Sequence, residues 1–189
     1  IKSINKEKFM CGICGWLDFK NNLQQELSTI KAMTETLKLR GPNSNGYYLD
    51  KHLLLGHRRL VVIDPEGGQQ PMVRSFNNCK YVLVYNGELY NTEELRKVLL
   101  DKGFSFEGYS DTEVLLYSYI YWGISCLDHL NGIFAFAIYD EKKQSLLLVR
   151  DQLGVKPLFY SLQGSSIIFA SEIKSLLANP SIQPVLDKD

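Results

Sequence analysis

Short apolar segments of strand length occur in two groups along the chain, and segments with helical periodicity lie between the two groups. The segments of the first group are Gly12 to Asp18, Tyr47 to Leu49, Leu53 to Leu55 and Leu60 to Ile63. The segments of the second group are Ile133 to Tyr139, Ser145 to Val149, Leu158 to Ser161 and Ile167 to Ala170. Short polar loops join this second group, which predicts an antiparallel meander. Strands in two groups with helices between them favour an α+β fold over a parallel, doubly wound sheet.

The helical segments are recognised by their apolar spacing and by their start signals. Apolar residues recur every three or four positions between Gln25 and Leu39, which is typical of an amphipathic helix. Asn91 with Glu94, and Ser110 with Glu113, have the spacing of a capping box. These pairs predict the starts of two further helices.

A strongly apolar, β-branched segment, Tyr81 to Tyr85, precedes the first of these helices and predicts a buried strand. Asn86-Gly87 follows it and favours a turn. Phe104 to Phe106 is strand-like, and Ser171 to Ala178 predicts a short closing helix.

Charge and hydropathy exclude several classes of partner. The 189 residues include 21 basic and 21 acidic side chains, so the net charge gives no reason to expect a nucleic acid or an anionic membrane as partner. No segment approaches the roughly 18 consecutive apolar residues of a membrane span. Residues 1–9 are basic but lack an apolar core, so they do not predict a secretory signal, and a cytoplasmic location is the default expectation.

The four cysteines are expected to be reduced thiols, because a chain of this length builds a core without disulfides. Cys11 and Cys14 form a Cys-x-x-Cys motif, which allows a redox or zinc interpretation. The residues that follow Cys14 predict a strand rather than the helix of a redox motif, and the sequence has no second ligand pair. A structural or catalytic role is favoured over both alternatives.

Cys11 follows Met10 directly, and removal of Met10 would place a thiol and a free amine on the same residue. A thiolate is the reactive form of cysteine, and an ordinary cysteine, with a pKa of about 8.5, needs a nearby base. A free α-amino group, with a pKa of about 7.7–8.0, can act as that base. Cys11 is therefore a candidate N-terminal nucleophile, provided that residues 1–10 are removed.

Three further pairs of residues each allow a structural and a functional interpretation. Asn86-Gly87 is either a turn or a pair of donors, one side-chain amide and one backbone amide, for a tetrahedral oxyanion. Arg58-Arg59 is ordinarily a solvated pair, and Ser110-Asp111 is ordinarily a helix cap. An Arg and an Asp could instead bind the carboxylate and the ammonium of an amino acid.

Considered together and in order, the motifs resemble the class II glutamine amidotransferase domain, and most closely the branch found in glutamine-hydrolysing asparagine synthetases. The matching stretches are Met10 to Ile13, Arg40-Gly41-Pro42, Gly56 to Leu60, Val62 to Asp64, Gly68 to Pro71, Tyr85 to Asn91, Ser110 to Glu113, Leu130 to Phe136, Arg150 to Leu158 and Ala170 to Lys174. One departure is Asn43, where the family usually has Asp after Arg-Gly-Pro; this position is expected to be architectural.

The resemblance implies an N-terminal-nucleophile hydrolase fold, an α+β, four-layer αββα sandwich of two mainly antiparallel sheets. It implies hydrolysis of L-glutamine to L-glutamate and ammonia through a thioester on Cys11, with Asn86 and Gly87 as the oxyanion hole. The implied substrate-binding residues are Arg59 for the α-carboxylate, Glu88 and Asp111 for the α-ammonium, and Val62 through its backbone. No metal or cofactor is implied for this chain. Rival interpretations are the glutaminase domain of another amidotransferase, such as amidophosphoribosyltransferase, and a blocked or non-catalytic module.

The same resemblance implies a domain organisation. Residues 1–10 are expected to be an extension, either a propeptide, upstream residues or residues added for expression, that ends in an initiator Met10. Residues 11–180 are expected to form the amidotransferase domain, and residues 181–189 to begin a linker to an ATP-dependent synthetase domain. ATP and magnesium are expected only in that absent domain, which is the implied protein partner; a homodimer is compatible with the resemblance.

Overall fold

A computed structural model describes residues 10–60 and 68–185 of the chain. The elements, in chain order, are β1 (Gly12–Asp18), α1 (Leu27–Glu35), β2 (Ser44–Leu49), β3 (Leu53–Arg59), β4 (Met72–Phe76), β5 (Cys79–Leu89), α2 (Thr92–Asp101), α3 (Asp111–Trp122), a 3-10 helix (Gly123–Asp128), β6 (Gly132–Asp140), β7 (Ser145–Arg150), β8 (Phe159–Gln163), β9 (Ser166–Ala170) and α4 (Ile173–Leu177). They divide into two compact units, a terminal unit (Ile1–Leu60 with Pro157–Asp189) and a central unit (Val61–Lys156).

The terminal unit contains a five-stranded antiparallel sheet in the order β2-β3-β1-β9-β8. Helix α1 packs on one face of this sheet because its apolar residues recur at helical spacing. Ile30 and Met33 of the helix, and Leu37 two residues after its end, are buried against Cys14 of β1 and Leu54 of β3. The predicted helix is confirmed, although it is shorter at both ends than the periodic segment Gln25 to Leu39.

The central unit contains a four-stranded antiparallel sheet in the order β4-β5-β6-β7. Helix α3 covers one face of this sheet, where Leu115 and Leu116 pack with Leu83, Tyr85 and Phe136. Helix α2 packs beside α3 through Leu95 and Leu99. The α+β class, with two antiparallel sheets that each carry helices, is therefore confirmed.

The predicted meander in the last third of the chain is wrong. Strand β7 pairs with β6 in the central sheet, whereas β8 pairs with β9 in the terminal sheet. The segment between β7 and β8 is not a hairpin loop, because these two strands belong to different sheets. Asp151 fixes the backbone of this segment. The Asp151 carboxylate accepts hydrogen bonds from the amides of Phe134, Val155 and Lys156 at 3.3, 2.9 and 2.9 Å. Local apolar patterns do not specify which strands pair, so the sequence could not predict this division.

The structure also bears on smaller expectations. Asn86-Gly87 is not a turn, because β5 continues through both residues to Leu89. Phe104 to Phe106 is irregular rather than a strand, and β4 was not predicted. Helices α2 and α3 begin directly after the predicted caps Asn91 and Ser110. Ser110 Oγ accepts from the Glu113 amide at 3.4 Å, but the Asn91 side chain bonds to His129 and Asn131 instead of the helix. The predicted strand Leu60 to Ile63 falls mostly outside the described residues.

None of the helices in residues 10–60 and 68–185 is long and apolar enough to cross a membrane.

Candidate active site

Cys11 lies immediately before β1 and is partly buried. The Leu60 amide donates to the Cys11 Sγ at 3.4 Å, and the thiol contacts the Leu60 carbonyl at 3.7 Å. The residue after β3 therefore holds the thiol of the predicted nucleophile.

Arg40, from the Arg-Gly-Pro motif, fixes the backbone on either side of the Met10–Cys11 bond. Its Nε donates to the Cys11 carbonyl at 3.2 Å, and its own carbonyl accepts from the Met10 amide at 3.0 Å. Gly41 is required next to it, because a Cβ there would clash with the backbone of Arg58 and Arg59. The motif thus supports Cys11, a role that the sequence analysis did not assign.

The predicted substrate-binding Arg59 is the last residue of β3 and lies one position before Leu60. Arg58 and Arg59 are 5% and 7% exposed, so the interpretation of the two as a solvated pair is wrong. Arg58 is a structural residue, because its Nε donates to the Thr34 carbonyl at 3.3 Å and it forms an ion pair with Glu35. The structure places Arg59 next to the residue that contacts Cys11.

Asn86 lies within β5, where it pairs with Ala135 of β6. Because side chains alternate along a strand, its side chain lies on the face opposite the one that carries Tyr85 and packs against α3. Asn86 is only 2% exposed, and its Nδ2 has no hydrogen-bond acceptor among the residues that the structure describes. Buried amide donors are nearly always paired, so this one is suited to a ligand.

Gly87 is the next residue of β5, and its amide lies on an edge of β5 that is open among the strands that the structure describes. The Lys80 carbonyl accepts from the Glu141 amide, and the Tyr90 amide donates to the Asn131 carbonyl, at the two ends of β6. Hydrogen-bonded residues alternate along an antiparallel strand, so the even-numbered residues of β5 are the ones whose backbone bonds to β6. Odd-numbered residues therefore face β4, whose pairing extends only to Leu83. The Gly87 amide is directed away from β6 at this open edge, beside Asn86.

Asp111, the first residue of α3, is tied to the same strand. Its Oδ2 accepts from the Tyr85 hydroxyl at 2.8 Å and from the Leu89 amide at 3.2 Å. The neighbouring amide on this edge, that of Tyr85, donates to the Gln70 side chain at 2.5 Å. Glu88 is exposed at the end of β5. Asn86, Gly87 and Glu88 are thus consecutive residues of β5, and Asp111 is hydrogen-bonded to the same strand on either side of them.

Burial raises the pKa of Asp111, and the hydrogen bonds from Tyr85 and Leu89, which act in the opposite direction, do not offset it. A buried carboxylate of this kind is favourable for a cationic group, because an opposite charge recovers part of the free energy lost on desolvation.

The predicted site residues form two groups, Cys11 and Arg59 in the terminal unit and Asn86, Gly87, Glu88 and Asp111 in the central unit. Val62 lies outside the described residues.

Cys14 does not form a reactive pair with Cys11. Its thiol is fully buried against α1 and β3, where it contacts Thr34 Oγ1 at 3.3 Å and the Gly56 carbonyl at 3.8 Å. Burial raises the pKa of Cys14 to about 11, so the thiol stays protonated at neutral pH. Among the residues that the structure describes, no group of three or more His, Cys, Asp and Glu side chains is placed to hold a metal ion.

A family described as the glutamine amidotransferase domain matches residues 10–189 of the chain. The chain belongs to this family. Among its curated relatives, asparagine synthetase [glutamine-hydrolyzing] 3 of Bacillus subtilis is 55% identical over 95% of this chain and 29% of the relative's length. Asparagine synthetase B [glutamine-hydrolyzing] of Escherichia coli is 36% identical over 89% of this chain and 30% of its own length. The amidotransferase chain therefore spans about three-tenths of the length of these relatives.

Solved structures support the amidotransferase fold. One described as the allosteric regulatory enzyme of purine biosynthesis has a TM-score of 0.73 at 24% identity, over 89% of this chain and 43% of that chain. The glutamine phosphoribosylpyrophosphate amidotransferase from B. subtilis, complexed with ADP and GMP, has a TM-score of 0.72 at the same identity and coverage. At this identity the likeness concerns the fold alone.

Some residues that contact the candidate site of this amidotransferase could not be assigned a role from the sequence. Arg40, Leu60 and Gln70 all lie within or beside the motifs that carried the resemblance, but no role was assigned to them. Their contacts join residues far apart in the chain, and only the folded structure shows such contacts.

Proposed function

We propose that this chain hydrolyses L-glutamine to L-glutamate and ammonia, with Cys11 as the nucleophile. The observation that carries the proposal is the position of Cys11, directly after Met10 and held by the amide of Leu60 and the guanidinium of Arg40. Membership of the glutamine amidotransferase family supports the choice of substrate.

The reaction requires a base, which the α-amine of Cys11 supplies once residues 1–10 have been removed. The amine takes the thiol proton while Sγ attacks the side-chain amide carbon of glutamine. It then returns a proton to the departing nitrogen, which leaves as ammonia, and a γ-glutamyl thioester remains on Cys11. Attack by water on the thioester releases glutamate and restores the thiol.

The central unit supplies the donors and the carboxylates of this proposal. Asn86 Nδ2 and the Gly87 amide stabilise the oxyanion of the tetrahedral intermediate, and the unsatisfied state of the buried Nδ2 supports this role. Asp111 and Glu88 bind the α-ammonium, whereas Arg59 binds the α-carboxylate as a bidentate fork. Val62 contributes backbone contacts to the substrate.

We further propose that the chain is the glutaminase part of an asparagine synthetase, as the names and lengths of its relatives suggest. In this proposal residues 1–10 are a removable extension, residues 11–180 are the catalytic domain and residues 181–189 begin a linker. The synthetase domain is the partner that uses the ammonia, and ATP and magnesium bind to that domain. The protein is cytoplasmic, binds neither nucleic acid nor membrane, and can form a homodimer.

The decisive experiment compares two preparations, a chain that begins at Cys11 and the chain that begins at Ile1. Each is treated with diazo-oxonorleucine, an electrophilic glutamine analogue, and is analysed by intact and N-terminal mass, while glutamate release is measured without the analogue. We expect one adduct at Cys11 and glutamate release in the first preparation, and neither in the second.

The variant C11A in the shortened chain should gain no adduct and release no glutamate. If the shortened wild-type chain also stays unlabelled and inactive, the glutaminase proposal is wrong, and the domain is a non-catalytic module of the same fold.

A further inference from the structure

The carboxylate of Glu172 contacts the residue that fixes the nucleophile. Its Oε1 accepts from Arg40 Nη1 at 3.2 Å, while Arg40 Nε donates to the Cys11 carbonyl at 3.2 Å. A guanidinium is planar and its donors have a fixed geometry, so an acceptor on Nη1 also determines the direction of Nε. Glu172 is thereby linked to the backbone of Cys11 through one rigid group.

The burial of these groups makes the link effective. Arg40 is only 8% exposed, and Glu172 is partly buried. Burial acts to raise the pKa of Glu172, but hydrogen bonds from Lys174 and Arg40 outweigh it, so the pKa of Glu172 is lowered and the carboxylate is charged at neutral pH. An ion pair away from solvent is screened less than a surface pair.

Ser171, the residue before Glu172, is held by hydrogen bonds to β1. Ser171 Oγ accepts from the Ile13 amide at 3.0 Å, and the Ser171 amide donates to the Ile13 carbonyl at 2.8 Å. Strand β9 therefore continues its pairing with β1 past Ala170 and delivers Glu172 toward Arg40. The position of Glu172 is set by the sheet that carries Cys11.

Removal of residues 1–10 increases the importance of this link. Arg40 makes two contacts near the scissile bond, one to the Met10 amide and one to the Cys11 carbonyl. The Met10 contact is lost in a chain that begins at Cys11. The guanidinium contact that Glu172 orients then remains as the link between Arg40 and the nucleophile.

We propose that Glu172 is a positioning residue for glutamine hydrolysis, which holds the Arg40 guanidinium on the Cys11 carbonyl and so fixes the thiol and the amine. The inference depends on the function proposed above. Glu172 acts through Arg40 and touches neither substrate nor thiol, so its effect belongs to the rate of attack rather than to glutamine affinity.

The test uses the chain that begins at Cys11 and three variants, E172A, E172Q and K174A. Active sites are titrated with diazo-oxonorleucine, and kcat and KM for glutamine are then expressed per titrated site, so that misfolded protein does not count. We expect E172A to lower kcat about tenfold to a hundredfold, with KM within about threefold of wild type. E172Q keeps an oxygen acceptor for Nη1 and should retain a kcat at least about threefold above that of E172A.

K174A is the matched control, because Lys174 contacts the other oxygen of the same carboxylate at 2.7 Å and is half exposed. This variant should keep the wild-type kcat. An E172A enzyme with kcat within about twofold of wild type, or with its loss confined to KM or to the number of titrated sites, would overturn the inference. Equal losses in E172Q and E172A would also overturn it. Inactivity of the wild-type chain in the same assay would instead contradict the proposed function.

Discussion

At the scale of single residues, Asn86 combines burial with an unused donor. Its side chain is buried on one face of β5, where Nδ2 has no hydrogen-bond acceptor among the described residues. Such an arrangement gives no stability from hydrogen bonding, because a buried donor without a partner keeps its full desolvation cost. A binding or catalytic role offsets that cost only when the ligand is present.

The variant N86A should therefore separate activity from stability. Loss of one oxyanion donor is expected to lower kcat about 10²–10³-fold. The free energy of unfolding should change by less than about 1 kcal/mol, because no hydrogen bond of Nδ2 is lost. Steady-state kinetics and urea unfolding measure the two effects.

Asn91 offers the control for this variant, because its side chain bonds to the His129 carbonyl at 2.9 Å and the Asn131 amide at 3.1 Å. N91A should lose about 0.5–1.5 kcal/mol of stability and keep its rate. An N86A protein whose lost activity merely follows its unfolded fraction would contradict the oxyanion role.

Asp111 and Asp18 should affect the pH dependence of stability in opposite directions, because the pKa of Asp111 is raised and that of Asp18 is lowered. Burial raises the pKa of Asp111, so this group favours the folded state below the unfolded carboxyl pKa of about 3.9 and loses that contribution as the pH rises through its folded pKa. D111N should therefore unfold at a higher temperature than wild type at pH 7, with a difference that disappears below about pH 4. If Asp111 binds the substrate ammonium as proposed, the KM of D111N for glutamine should rise about tenfold to a hundredfold, since that charged hydrogen bond is lost.

The control variant D18N should change the stability at pH 7 in the opposite direction to D111N. Burial acts to raise the pKa of Asp18, but hydrogen bonds from Ser166, Asn21 and the Lys20 amide outweigh it and lower the pKa. This carboxylate stabilises the fold above the unfolded pKa and loses the contribution as the pH falls through its folded pKa. D18N should be less stable than wild type at pH 7. Thermal unfolding of both variants across pH tests the pair, and a shift of the same sign in both would refute the assignment for Asp111.

The two cysteines of the Cys-x-x-Cys motif should differ completely in function. Cys14 is fully buried with a raised pKa, whereas Cys11 contacts a backbone amide. C14A should keep glutamine hydrolysis within about threefold of wild type while losing stability from the small cavity it leaves. Glutamate release and thermal unfolding measure the effects; abolition of hydrolysis in C14A would favour the redox alternative.

At the scale of elements, strand β5 extends past its neighbour β4 and carries three of the predicted site residues on the extension. Gly87 is required there, because a Cβ would lie 2.5 Å from the Ile133 carbonyl oxygen and 2.8 Å from Phe134 Cα. Both atoms belong to the backbone of β6, which cannot move without loss of the ladder.

G87A should consequently lose about 1–3 kcal/mol of stability and lose activity beyond that expected from unfolding, because the shift of β5 displaces the amide of residue 87. Urea unfolding and kcat per titrated site measure both effects. G164A in the turn between β8 and β9 is the control: its φ of +60° is strained for alanine, but the space around it is open. It should lose about 1 kcal/mol and keep its rate. Wild-type activity in G87A would contradict the role of this strand.

At the scale of the whole molecule, the chain spans 29% of its relative from B. subtilis and 30% of the one from E. coli. The sequence contains no Gly-rich nucleotide loop. The shortened 11–189 chain should release glutamate at the same rate with or without ATP, magnesium and aspartate, and should form no asparagine. Amino-acid analysis of the reaction mixture measures both products. ATP-dependent formation of asparagine would show that this chain contains synthetase activity.

Local patterns in the sequence were sufficient to predict most of the individual elements and the candidate nucleophile. The bounds of β1 were predicted correctly, and α1 and α3 were predicted because apolar periodicity and the Ser110 cap are local signals. The ordered motifs also identified the family, because residue types at fixed spacing are visible without coordinates.

Features that depend on contacts between distant residues became visible only in the folded chain. Folding divided the predicted meander between two sheets, placed Asn86-Gly87 inside a strand, buried Arg58 and brought Glu172 to Arg40 across 132 positions of sequence. The physical reason is that strand pairing and the burial of charged side chains are set by long-range packing, which local propensity does not encode.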